Sequence, residues 1–139
     1  MTYLPAELAR LAPDADTRAF WEACRRRELR IQQCTACGAF QHPPLPGCRA
    51  CGAAALVWTP VSGRGRVFSY TIAHHAFVPV LGTATPYNVV VVELDDAPGA
   101  RLVSNLVDTS PHAVRIGMEV ALVWEEPSPG IVLPRFRQA

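Results

Sequence analysis

The chain has 139 residues, half of them hydrophobic, and a net charge of +1. That length fits one ordinary domain, or a small module joined to a modest barrel, and no apolar run reaches the roughly 18 residues of a membrane span. The charge is far from the basic excess of a nucleic-acid binder; all 13 basic residues are arginine, which excludes Schiff-base chemistry on lysine but leaves bidentate contacts to carboxylate or phosphate open.

The pattern predicts a helical segment over residues 1–32, a ribbon over 33–55 and a barrel over 56–139. Met1 to Asp16 show no basic flank followed by an apolar stretch, so no secretory signal is expected. A helix is expected to open at Asp16 or Thr17 as its cap. Phe20, Cys24 and the stem of Arg27 share one side of it, while Trp21 points elsewhere. Arg25, Arg26 and Arg27 near its end suit the negative pole of the helix dipole. One reading is an amphipathic helix with a solvated basic edge; the other is a docking helix anchored by Trp21 and the arginines. Cys24 reads as a small buried residue.

Two pairs of one spacing follow, Cys34-Thr35-Ala36-Cys37 and, ten residues on, Cys48-Arg49-Ala50-Cys51. A tetrahedral metal needs four ligands on a small radius, and two residues between thiolates let one tight turn present both sulfurs to one ion. Gly38 and Gly52 follow each pair, where a residue free to take positive φ turns the chain away. Two disulfides, a redox Cys-x-x-Cys or four buried cysteines are the alternatives, but a redox motif is normally single and set between a strand and a helix. The spacing therefore predicts structural zinc on Cys34, Cys37, Cys48 and Cys51, with iron able to substitute in a thiolate tetrahedron. Cysteines serving as ligands favour the reducing cytoplasm. His42, in a tip with three prolines, reads as a surface or packing residue because the four cysteines complete the shell.

From Leu56 the pattern changes to short strands between turn residues. Strands are expected at Leu56–Val61, Val67–Ala76, Asn88–Leu94, Arg101–Val107, Glu119–Trp124 and Ile131–Phe136. The count suits a small closed barrel of OB type, and the chain is mainly β. Two features in it look functional. Phe77-Val78-Pro79-Val80-Leu81-Gly82 is an apolar loop that either plugs the barrel mouth or is covered by a partner. Arg64 and Arg66 sit in a glycine-rich bend, which is either a solvated turn or a place where guanidinium groups meet phosphate. Adjacent on a strand, His74 and His75 face opposite sides; His74, on the face of Phe68, Tyr70 and Ile72, reads as a core-edge histidine. Asp95 and Asp96 read as turn residues. No Gly-x-Ser-x-Gly elbow and no His-Glu-x-x-His site occurs, and a closed four-cysteine shell has no open position for water.

The order of motifs resembles the zinc-ribbon and OB-fold family encoded beside thiolase-like enzymes, long catalogued as a domain of unknown function. The resemblance runs from about Phe20 to the C-terminus. It rests on Phe20-Trp21, the cysteine ribbon with Pro43-Pro44, Trp58, Ser62-Gly63-Arg64-Gly65 and Ser69-Tyr70-Thr71. It continues through Pro86-Tyr87, Ile116-Gly117-Met118 and Leu133-Pro134-Arg135-Phe136. His75 departs from it, where many relatives carry arginine. The resemblance implies a rubredoxin-like ribbon before an OB barrel. It also implies a hetero-oligomer with a thiolase, sterol-carrier-type thiolase or aldolase, synthase or hydratase, in which the small subunit supports acyl-CoA handling in lipid or steroid-type metabolism without doing the bond chemistry. Candidate ligand contacts are Arg64, Arg66, Tyr70 and His74; candidate partner contacts are Phe20, Trp21, Phe77, Val80 and Leu81. The alternative is a single-stranded nucleic-acid binder, since OB barrels and zinc ribbons both serve that role.

Overall fold

The structure, a computed structural model, describes residues 2–139. Helix α1 spans Arg18–Arg25 and buries Phe20, Ala23 and Cys24, which recur at the helical period. Thr17 stands at the cap position, but its hydroxyl makes no cap bond to the helix. Asp14 fixes the turn that leads into the helix, accepting from the N–H groups of Asp16 and Thr17 at 3.0 and 2.9 Å. Arg27 does not lie on the buried side of the helix. It is the first residue past the C-cap Arg26, at φ 58°, where the chain reverses, and the N–H groups of Arg27 and Glu28 close on the carbonyls of Cys24 and Ala23.

The reversal feeds a three-stranded antiparallel sheet, β1 (Arg30–Cys34), β2 (Phe40–Gln41) and β3 (Leu56–Pro60), in the order β2-β1-β3. The strand expected to open the barrel is thus the ribbon's own edge. Leu56 pairs with Cys34 and Pro60 with Arg30, so the ribbon extends beyond residue 55.

The remaining strands are β4 (Arg64–Ala73), β5 (Tyr87–Leu94), β6 (Arg101–Ser104), β7 (Glu119–Ser128) and β8 (Ile131–Gln138), in the order β6-β5-β4-β7-β8. A parallel bridge between Leu106 and Phe136 brings the two ends together, with Val107 donating to the Phe136 carbonyl at 2.8 Å. The result is a nearly closed five-strand barrel of OB type. β4 is in place three residues earlier than the β-branched pattern indicates, so Arg64 and Arg66 belong to a strand rather than to the bend.

Alternation on β5 buries Asn88, Val90, Val92 and Leu94. Val90, Val92 and Leu94 join Val67, Leu102, Leu106, Val120 and Phe136 in one cluster that also takes in Phe20, Cys24 and Ile31. Helix, ribbon strand and barrel therefore share a core. Among the described residues no helix is long and apolar enough to cross a membrane.

Candidate functional site

The two cysteine turns are built alike. The N–H of Cys34 donates to Ala39 and that of Gly38 to Cys34; in the second turn Cys48 donates to Ala53 and Gly52 to Cys48, all at 2.8–2.9 Å. Gly38 and Gly52 both take φ 79°, the left-handed region that the turn away from the metal requires. The sulfurs lie 3.7 Å apart for Cys34–Cys51 and 3.6 Å for Cys37–Cys48, and all four ligand atoms fall within 4.8 Å of one another. Zinc–sulfur bonds of about 2.3 Å would place tetrahedral sulfurs roughly 3.8 Å apart, so the pocket has the right size.

The electrostatics also suit a cation. Backbone N–H groups of Cys51 and Ala50 draw the Cys48 thiol down to about 6. The Ala53 N–H favours a Cys51 thiolate, yet hydrogen bonds with Cys34 and Cys37 carry that thiol up to about 11. Four thiols this close cannot ionise together, and a divalent ion removes the conflict. The residues fit structural zinc.

Two buried glutamines hold the loop between the cysteine turns. Gln32 donates to the Leu45 carbonyl and accepts from its N–H, at 2.8 and 3.0 Å. Gln41 donates to Gln32 and to Gly47 and accepts from the Arg49 N–H. The proline-rich tip has few N–H groups of its own with which to pair, so side-chain amides supply the bonds. His42 packs its ring on Phe20 at 4.9 Å, and its Nδ1 is buried without a partner. Burial pushes the imidazole down to about 4.

The candidate ligand residues lie along and just past β4. Arg66 is tied to Glu119 at 2.8 Å and to the Gly117 carbonyl, on the rim of an open cavity of about 470 Å³ lined also by Phe68, Leu94, Pro98 and Ile116. Arg64 is exposed and makes no ion pair among the described residues. Gly65 between them is not there for a ligand, because a Cβ would overlap the Glu93 carbonyl on β5. Tyr70 is 39% exposed. His74 lies beyond the end of β4 and is exposed, so it is no core-edge residue; a bulge between Val67 and Ser69 breaks the alternation on which that expectation depended.

Of the candidate partner residues, Phe20 is 4% exposed and belongs to the core, as does buried Leu81 in the short 3-10 turn Pro79–Leu81. Trp21 is half-buried against the core, edge-on to Phe20 at 5.0 Å. Val80 is half-buried. Phe77 is 82% exposed, with only the His75 ring edge-on to it at 5.4 Å.

One constellation has no motif to announce it. Asn88 is fully buried: its Oδ1 accepts from the Leu106 N–H, its Nδ2 donates to Leu106, and its carbonyl accepts from Asn105. Asn105 accepts from Arg135, Arg135 pairs with Glu125 at 3.3 Å, and Glu125 accepts from the Tyr3 N–H. Tyr3 in turn meets Asn88 through its phenol, so the chain of bonds closes on itself. It seals the seam between β5, β6 and β8. A buried asparagine in an alternating strand is the one signal the sequence offers.

Family comparisons agree with this geometry. The model described as "ChsH2, rubredoxin-like zinc ribbon domain" matches residues 21–57, and "ChsH2, C-terminal OB-fold domain" matches residues 58–125. The chain belongs to the ChsH2 (DUF35) family. It is 45% identical over 87% of its length to a probable enoyl-CoA hydratase alpha subunit of Thermomonospora curvata, but spans only 37% of that relative. It is 33% identical, over 81% of its own length and 86% of the relative's, to a DUF35 domain-containing scaffold protein of Methanothermobacter thermautotrophicus. Among solved structures it is similar to a chain of the Ltp2-ChsH2(DUF35) aldolase, at TM-score 0.82 and 41% identity, covering 93% of this chain and 98% of that one.

Proposed function

We propose that this chain is a non-catalytic accessory subunit of a thiolase-like complex, where it supports acyl-CoA binding or transfer. The observation that carries the reading is the similarity to the ChsH2(DUF35) chain of an aldolase, which runs over 98% of that chain at 41% identity. The scaffold relative, matched over most of its own length, supports a part that organises rather than reacts. The metal site supports it too. Four cysteines fill a tetrahedral shell, so zinc there holds the ribbon and has no position for a substrate.

The division of labour follows the three parts of the chain. The ribbon is the rigid brace, the helix ties it to the barrel, and the barrel presents the working face. On that face Arg64 is the first choice for a CoA phosphate, since Arg66 must first give up Glu119. Phe77 and Val80 with Trp21 serve the partner; Phe20 and Leu81 support them from the core.

Co-purification with a co-expressed thiolase-like enzyme tests the reading. The isolated chain is expected to show no acyl-CoA turnover and the pair to turn over faster than the enzyme alone. Arg64→Ala is expected to raise the KM of the pair several-fold with kcat held. Turnover by the isolated chain, or an enzyme indifferent to its presence, would overturn it.

A further inference from the structure

The outer edge of β4 is unguarded where it leaves the barrel. Its first part is paired on both sides: Arg64–Arg66 with β7, and Val67 with Gly117 and Met118. The bulge between Val67 and Ser69 then swings the strand away, and Ser69–Ala73 pair with β5 alone. Among the described residues no backbone bond reaches the other edge of that stretch. Every second residue there turns its N–H and C=O outward. Four residues in a row, Phe68 to Thr71, are exposed, and exposed Phe77 and Val78 lie in the connection that follows β4.

Free edges normally carry charge, proline or extreme shortness as protection. The other edges of this chain do. The part of β7 that faces away from β8 contains Glu125, Glu126 and Pro127, β3 ends in Pro60, and β2 has two residues. Val67-Phe68-Ser69-Tyr70-Thr71-Ile72-Ala73 has no charge, proline or glycine. A bare, β-prone edge of this kind aggregates unless something covers it. What covers it is set by the groups on offer, since only an extended backbone satisfies alternating donors and acceptors along an edge.

We infer that this edge accepts an extended strand from the partner enzyme, which adds to the barrel's sheet beside β4. The inference rests on the accessory-subunit reading. Tyr70 and Ile72 lie opposite Val90 and Asn88 on the inner face, and Ser69 and Thr71 on the other. The incoming strand therefore alternates apolar residues toward Tyr70 and Ile72 with small polar ones toward Ser69 and Thr71.

Amide hydrogen exchange on the whole chain, free and bound to the co-purified enzyme, tests it. The expected result is at least tenfold slower exchange at outward-facing amides of residues 69–73 in the complex, with residues 123–128 unchanged. Thr71→Lys is expected to melt like the parent and to bind at least tenfold more weakly. A complex with unaltered exchange at 69–73 overturns the strand and leaves the accessory role standing. Slowed exchange in the chain alone, rising with concentration and with dimer mass, assigns the edge to a second copy and overturns the proposal. Failure of any complex to form removes both.

Discussion

His42 shows how a single side chain reports on the joint between ribbon and helix. Its ring lies against Phe20, its Nδ1 has no partner, and burial holds it neutral down to about pH 4. An unfolded chain takes up the proton near pH 6.5. The contribution to stability is therefore complete above that value and lost as pH falls from there through about 4, to a limit of about 3 kcal/mol. Urea unfolding of the parent and of His42→Phe, compared near neutrality and at about pH 5, should show a steeper loss for the parent. Equal slopes would mean that the ring is solvated. Asn88 teaches a related lesson: a polar residue at a core position of β5 is tolerated because each of its groups meets a partner across the seam.

At the scale of the element, the arginine-glycine-arginine segment changes meaning once it is seen as strand. Gly65 lets β4 press against β5, where a side chain would run into Glu93 and Val92. Gly65→Ala is expected to destabilise the barrel by about 2 kcal/mol, in the range of other overpacked sites, and to do so without any ligand. If the variant kept its melting midpoint but bound CoA poorly, the glycine would belong to a ligand site after all. The bulge two residues on decides the rest of β4. It ends pairing with β7 and releases the hairpin, along which Phe68, Tyr70 and His74 are exposed.

Across the whole molecule, the core is continuous from Phe20 and Ile31 to Phe136, so ribbon and barrel should lose structure together. Removing the metal by chelation, or replacing Cys37 with serine, should lower the melting midpoint by about 10 °C or more. Tryptophan fluorescence and far-ultraviolet circular dichroism should move together, because Trp58 on the ribbon and Trp124 on the barrel both pack on that core. A ribbon that melts with the barrel signal unmoved would show two independent units. Elemental analysis of the parent should find one zinc, or iron in its place, per chain.

The cysteine spacing by itself determined the metal site, because two turns of fixed length leave four sulfurs little freedom. The β-branched run of β5 likewise announced a strand, and the order of motifs announced the family. Tertiary structure alone assigned β3 to the ribbon, since a strand's pairing partner is chosen by long-range register that no local pattern encodes. It alone showed that Phe20 is spent on the core, that Arg66 is held by Glu119, and that Asn88, Asn105, Arg135 and Glu125 meet. Bonds there join residues 17 to 30 positions apart, which meet only when the barrel closes. The open edge of β4 was hidden for the same reason, for whether a strand has a second neighbour depends on where the rest of the chain goes.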